Sequence, residues 1–165
     1  MDYSLKQTAA LLQNSNTIVL TAHVQPDGDC LGSMLALNQY LTSLGKNVKM
    51  ILDDDIPALY QFLPGHQAIL KPTSKVISAD LLIVLDASDI ERIGKVKEHV
   101  EAPILNIDHH VSNTKFADYW YIDQRSAATG EIILQLITLV KGSIIADIAT
   151  CLYTAIATDC GFFRY

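Results

Sequence analysis

The sequence predicts an α/β domain: a doubly wound, mostly parallel sheet flanked by helices, with two consecutive helices near the C-terminus. Three observations carry this expectation. Apolar runs of strand length recur along the chain, and they are continuous rather than alternating, which marks strands covered on both faces. A stretch of helical spacing separates the first two runs, giving the β-α-β order that a parallel sheet requires. Beyond Thr129 the short runs give way to helical periodicity alone.

Each element can be justified in turn. Ser4 to Gln13 reads as a short helix with Leu5, Ala9 and Leu12 on one face. Thr17 to Ala22 is a β-branched apolar run and forms the first strand. The loop His23 to Asp29 leads into a helical stretch carrying Leu31, Met34, Leu35, Leu41 and Leu44, and Gly45 supplies its stop signal. Asn47 to Leu52, Asp80 to Asp86 and Ile104 to Ile107 read as further strands. Pro57 to Ser78 carries the weakest pattern, with a short helix expected around Ala58 to Phe62. Thr129 to Val140 and Ser143 to Thr158 are two successive helices parted by Lys141-Gly142. Residues 1–165 are long enough for one sizeable core, and no repeat, low-complexity segment or linker divides them.

Composition excludes several functions. A net charge of -6 argues against a general binder of long nucleic acid, which presents a basic face. It permits a short phosphorylated substrate, because bound divalent cations reverse the local sign. Cys30, Cys151 and Cys160 form no CxxC pair, which fits a reducing compartment. Neither a basic-then-apolar leader nor an apolar segment of the roughly 18–20 residues of a membrane span is visible. The expectation is a soluble cytoplasmic protein with no membrane contact; a homo-oligomer is left open.

The chemistry lies at element ends. His23-Val24-Gln25-Pro26-Asp27-Gly28-Asp29 follows the first strand, and its Pro and Gly give sharp turns that let the polar side chains converge. Asp86 closes the run Leu81 to Leu85. Asp108-His109-His110 stands where Pro103 to Ile107 gives out, and Asp159 follows the last helix. The end of a strand is where open α/β sheets hold ligands. One such aspartate alone is ordinarily a turn residue or helix cap. Four clusters at successive element ends are hard to attribute to capping. Mixed carboxylate and imidazole donors suit manganese, magnesium or a related divalent ion. More donors are present than one ion needs, and they match a pair of ions sharing a bridging carboxylate. Two ions about 3.5–4 Å apart are a recurring device for in-line displacement at phosphorus.

These four elements, His23-x-x-x-Asp27-Gly28-Asp29, Asp86, Asp108-His109-His110 and Asp159, resemble the four motifs of the DHH phosphoesterase family. Thr158 to Tyr165 is similar to the fourth motif and its continuation. Within the family, the sequence looks most like the branch of oligoribonucleases and 3′-phosphoadenosine 5′-phosphate phosphatases, with Asp53-Asp54-Asp55 and Ala127 to Glu131 as weaker support.

The resemblance implies that His23 and Asp27 bind one ion, that Asp29, His109 and Asp159 bind the other, and that Asp86 bridges both. His110 would face the substrate phosphate and help the leaving oxygen depart. Asp108 would orient an adjacent imidazole. The implied cofactors are two divalent ions, foremost Mn2+ with Mg2+ or Co2+ as alternatives. The implied substrate is a short RNA or DNA oligonucleotide or a small nucleotide phosphate. A cyclic-dinucleotide phosphodiesterase, a pyrophosphatase and a non-catalytic metal-binding module are the competing readings.

Two departures stand out. Cys160 occupies a position where many relatives have Thr. The chain stops at Tyr165 without the glycine-rich loop of the family's C-terminal domain, so it is expected to be a fragment whose second domain belongs in cis. Arg125 and Arg164 are candidate phosphate contacts, though isolated arginines are more often solvated or ion-paired. Asp53-Asp54-Asp55 reads as a solvated loop, and His66 and His99 as surface residues. Cys30 and Cys151 read as small packing residues. Tyr119-Trp120-Tyr121 fits half-buried core better than a base-stacking platform.

Overall fold

The computed structural model describes residues 1–161. Six parallel strands form the central sheet: β1 (Thr17–Ala22), β2 (Asn47–Ile51), β3 (Ile69–Leu70), β5 (Leu81–Leu85), β7 (Ile104–Asp108) and β8 (Tyr119–Ile122). Their order is β3-β2-β1-β5-β7-β8, while β4 (Ile77–Ser78) and β6 (Val100–Glu101) pair separately. The chain steps outward from β1 to β2 and β3, then returns beside β1 and steps the other way. The boundary between β1 and β5 is therefore the topological switch point, where doubly wound sheets place their ligands. Register sharpens this. Ala22 pairs with Leu85, and Leu85 with Ile107, so His23, Asp86 and Asp108 leave the sheet side by side.

Alternation along the strands splits the core. Ile18, Leu20, Leu81, Ile83 and Leu105 face one way; Val19, Leu82 and Val84 face the other. The first face is covered by α1 (Leu5–Asn14), α2 (Gly28–Ser43), α4 (Thr129–Leu139) and α5 (Ala146–Asp159). The second has a thinner cover, in which Ile93 of a 3-10 turn (Ile90–Ile93) and Val96 of α3 (Val96–His99) pack on the sheet. α2 is buried nearly all round because α5 lies across it. Gly32 permits that crossing: a Cβ there would lie 2.4 Å from the Cys151 carbonyl oxygen and 2.9 Å from Ala155 Cβ. Cys30 and Cys151 are indeed buried packing residues on these helices.

Local differences from expectation have plain causes. Ser4 is the N-cap of α1 rather than its first residue, forming a reciprocal capping box with Gln7. α5 starts at Ala146, later than Ser143, and no side chain caps it, so the sequence carries no start signal there. Pro57 to Ser78 holds 3-10 turns at Ala58–Tyr60 and His66–Ala68 and the two-residue β3, all too short to show a period. Tyr119-Trp120-Tyr121 forms β8 and is half-buried, as packing residues would be, with Asp2 bridging to Trp120 beyond it. Among the described residues, no helix is long and apolar enough to cross a membrane.

Candidate metal centre

The loop after β1 is shaped before it is charged. Gln25 adopts a left-handed backbone (φ 56°), and its N–H donates to Asp54 Oδ2 at 2.8 Å. Asp27 then N-caps α2, accepting the Asp29 and Cys30 N–H groups at 3.1 Å each. Gly28 must be Gly, because a Cβ would lie 2.3 Å from Thr158 Oγ1. That contact seats the last turn of α5, and with it Asp159, on the loop. Asp86 is itself left-handed (φ 55°), an uncommon conformation for which aspartate is among the more tolerant residues, and its N–H donates to the Ile107 carbonyl at 3.0 Å. Backbone outliers of this kind cluster at functional sites.

The side chains converge on two centres that share Asp86. Its Oδ2 lies 3.5 Å from His23 Nε2, and its Oδ1 lies 3.6 Å from His109 Nε2. His23 Nε2 also stands 3.6 Å from Asp27 Oδ1. His109 Nε2 stands 3.5 Å from Asp159 Oδ2 and 3.9 Å from Asp29 Oδ2. These separations are too long for hydrogen bonds. They are what donor atoms arrayed about a common centre would show.

Each imidazole turns its other nitrogen to a backbone carbonyl. His23 Nδ1 is 2.8 Å from the Val24 oxygen, and His109 Nδ1 is 3.3 Å from the Ser126 oxygen. A hydrogen on Nδ1 satisfies both carbonyls and leaves each Nε2 lone pair aimed inward, the arrangement of metal-binding histidines. His109 Nε2 is buried with no hydrogen-bond partner among the described residues, as a nitrogen that serves as a metal ligand would be. The donor set fits a pair of divalent ions.

Asp29 is held from a distance in sequence. Its carboxylate accepts the N–H groups of Thr129 (2.7 Å) and Gly130 (2.8 Å) at the start of α4, and the Ser33 hydroxyl at 3.2 Å. A helix N-terminus is a favourable seat for a buried anion. Thr129 adds its hydroxyl, donating to Asp86 Oδ1 at 3.0 Å.

The electrostatics of the cluster suits cations. The ion-pair partners of Asp27, Asp29, Asp86 and Asp159 among the described residues are all histidines. Burial and the neighbouring Asp86 push Asp29 well above the ordinary carboxylate range, against the two N–H groups that lower it. Burial also raises Asp159, helped by Asp86 and Asp27 and opposed by His109. Burial disfavours a charged His23, but Asp27 and Asp86 outweigh it and hold the ring protonated far above its usual value. Protons thus occupy positions that cations would take. Cys30 lies within reach of His23 and Asp27. Burial pushes its thiol up to about 12, and its Sγ donates to the Asp27 carbonyl, so it packs rather than ligates.

Asp108 and His110 form a separate pair on the rim. Asp108 is fully buried, and its Oδ1 accepts from His110 Nδ1 at 2.7 Å and from the His109 N–H at 2.9 Å. Burial opposes its charge, but His110 and Asn113 together keep its pKa below the ordinary range. The same bond raises His110, against the effect of its own burial. His110 is 44% exposed and its Nδ1 is 3.6 Å from Asp86 Oδ1, so it borders both the cluster and solvent.

The sequence-derived set His23, Asp27, Asp29, Asp86, Asp108, His109, His110 and Asp159 is therefore brought together, whereas Arg164 lies outside the described residues. The aspartate triplet is structural rather than freely solvated: Asp54 holds Gln25, Asp53 Oδ2 accepts the Lys95 N–H at 3.0 Å, and Asp55 pairs with Lys71. Arg125 pairs with Asp123. His66 bonds the Leu63 carbonyl and, like His99, is half-buried. Sequence reading noted Ala127 to Glu131 only as a motif and assigned no site role to Thr129, Gly130, Asn106 or Asn113. Only the start of α4 at Thr129-Gly130 offered a signal.

Fold and cluster together define an α/β domain with a candidate two-ion centre at the switch point of its sheet. Residues 17–156 match the DHH family, N-terminal domain, and the chain belongs to that family. It is 36% identical over 148 residues to the bifunctional oligoribonuclease and PAP phosphatase NrnA of Thermus thermophilus, covering 90% of this chain and 44% of the relative. It is 26% identical over 155 residues to a probable manganese-dependent inorganic pyrophosphatase of Exiguobacterium, covering 90% and 50%. An exopolyphosphatase-related protein from Bacteroides fragilis superposes with a TM-score of 0.87 at 27% identity, over 98% of this chain and 51% of that one. The chain spans about half the length of these relatives.

Proposed function

We propose that this chain is a two-metal-dependent phosphoesterase acting on short oligonucleotides or on a small nucleotide phosphate such as 3′-phosphoadenosine 5′-phosphate. The observation that carries the reading is the carboxylate of Asp86, which offers one oxygen to each of two histidine-centred groups. In this reading His23 and Asp27 hold one ion, Asp29, His109 and Asp159 hold the other, and Asp86 bridges. Mn2+ is the preferred occupant, given the mixed carboxylate and imidazole donors. Similarity to the oligoribonuclease and PAP phosphatase relative supports the substrate class.

A pair of ions held there supplies neutralisation of the phosphate oxygens and a nucleophile at neutral pH. The chain's own residues do the rest. Thr129 and Gly130 fix Asp29, and the Thr129 hydroxyl fixes one oxygen of Asp86, so the ligands are positioned before anything binds. Asp108 holds His110 by Nδ1, which leaves Nε2 of this half-exposed ring as the nitrogen available to a substrate. A protonated His110 would give a hydrogen bond or a proton to the departing oxygen and be left neutral; Asp108 favours the charged ring before that transfer. Residues 1–165 act as one metal-holding domain, with the substrate's far end gripped by a second domain in cis, in keeping with the greater length of the relatives.

A panel of short RNA, 3′-phosphoadenosine 5′-phosphate and pyrophosphate in metal-defined buffer tests this. Hydrolysis of the nucleotide substrates should require Mn2+ and vanish in Asp86→Ala. Turnover that survives Asp86→Ala would refute the two-ion reading. The similarity to a pyrophosphatase favours pyrophosphate as the second substrate class, and preferential turnover of it would select that reading.

A further inference from the structure

A polar network behind the Asp108–His110 pair is left over by the reading above. Asn113 sits in the loop after β7 and donates from one amide nitrogen to Asp108 Oδ2 at 2.6 Å and to Asn106 Oδ1 at 2.7 Å. Its own Oδ1 accepts the Lys115 N–H at 2.7 Å, which fixes which end of the amide is which. Lys115 makes that turn in a left-handed conformation, with φ of 56°. Asn106 is fully buried and donates to the carbonyls of Val84 (3.1 Å) and Ala87 (3.2 Å). Those two carbonyls flank Asp86 in the chain.

We propose that Asn113, backed by Asn106, is a positioning residue for His110. It holds Asp108 Oδ2, which fixes the carboxylate so that Oδ1 receives His110 Nδ1 and the His109 N–H. Through Asn106 it also ties the end of β7 to the end of β5, and so sets where His110 stands relative to Asp86. A half-buried amide at this place, with two buried acceptors to serve, is there for its hydrogen bonds rather than for packing. An apolar residue would strand Asp108 Oδ2 and Asn106 Oδ1 without donors, and such groups are costly to bury unpaired. Asn113 touches neither substrate nor ion in this arrangement; it acts through Asp108. The inference rests on the reading of His110 as the residue that faces the leaving oxygen.

The test uses the 165-residue chain, 15N-labelled, metal-free and then with Mg2+. In the wild type the His110 Nδ1–H should give a downfield, slowly exchanging proton resonance, the mark of a short bond to Asp108. Asn113→Ala should lose or shift that resonance upfield while the backbone amide spectrum outside residues 84–88 and 106–116 is unchanged. In turnover assays kcat should fall about 10- to 100-fold, the usual cost of losing an outer partner, with KM and metal stoichiometry unmoved. A folded Asn113→Ala chain that keeps both the resonance and its kcat overturns the proposal. So does a loss confined to metal binding. If Asn113→Ala does not fold, Asn113→Ser decides. Its hydroxyl supplies one of the two hydrogen bonds, so the resonance should move upfield part of the way, and an unmoved resonance overturns the proposal. If the 165-residue wild type hydrolyses no phosphoester, that bears on the functional reading and on the second domain's part in it, and the resonance still settles whether Asn113 positions His110.

Discussion

Replacing Asp86 with Asn removes one charge and almost no volume, which makes it the cleanest perturbation of the proposed centre. Asp86 is 3% exposed, and its two oxygens face His23 and His109 from 3.5 and 3.6 Å. The Asn carbonyl can still accept the Thr129 hydroxyl, so the fold is spared. Binding of one ion at a free concentration of about 100 times its Kd stabilises the native state by about 2.7 kcal/mol. For a chain of this size each kcal/mol moves Tm by about 2–4 °C, so one occupied site gives a shift of about 5–11 °C and two give about twice that. Differential scanning fluorimetry over a Mn2+ series, with EDTA as the baseline, reads the shift. The wild type should show the two-site value. Asp86→Asn should lose well over half of it, because a shared ligand weakens both sites at once. Asp55→Asn is the control: that side chain is exposed, paired with Lys71, and should leave the shift unchanged. An Asp86→Asn shift equal to the wild type would refute the bridging role. Loss of only one site's share would refute the sharing.

Two further outcomes follow from the same geometry. His23 is held protonated well above its ordinary value of 6.5, so in the metal-free chain its ion pairs stabilise fully below that pH and are lost as pH rises through the folded value. An incoming ion must displace that proton. Mn2+ binding at pH 7 should therefore release protons, and affinity should fall as pH falls, which calorimetry in buffers of different ionisation enthalpy measures directly. Gly32→Ala would set a Cβ 2.4 Å from a backbone oxygen of α5. Overpacking of about 1–3 kcal/mol equals or outweighs the gain in helix propensity of about 1 kcal/mol, so Tm should drop, by up to about 8 °C, while the chain still binds Mn2+.

Much of the site was legible because function and topology use the same positions. A parallel sheet buries its strands as continuous apolar runs, so the residues that end each run, His23, Asp86 and Asp108, declare themselves without any knowledge of strand order. Asp27 was legible twice over, as a potential ligand and as the N-cap of α2. What stayed hidden depends on contacts between segments far apart in sequence. Asp29 is seated by Thr129 and Gly130, 100 and 101 residues away, and no local pattern encodes that. Asn113 lies in a polar loop whose composition is that of any turn, and Asn106 reads as an interruption of an apolar strand until Val84 and Ala87 are seen beside it. The two-residue strands β3, β4 and β6 are shorter than one period of any signal. The left-handed backbone of Asp86 is likewise invisible in the sequence, although aspartate is one of the few side chains that tolerate it.

The central claim is that one carboxylate is shared between two ions. A crystal grown with Mn2+ and measured at the manganese absorption edge tests it most directly. The anomalous map should hold two peaks about 3.5–4 Å apart, as in other two-ion sites. Asp86 should lie between them, with His23 and Asp27 at one peak and Asp29, His109 and Asp159 at the other. A single peak, or two peaks that leave Asp86 unshared, would contradict it.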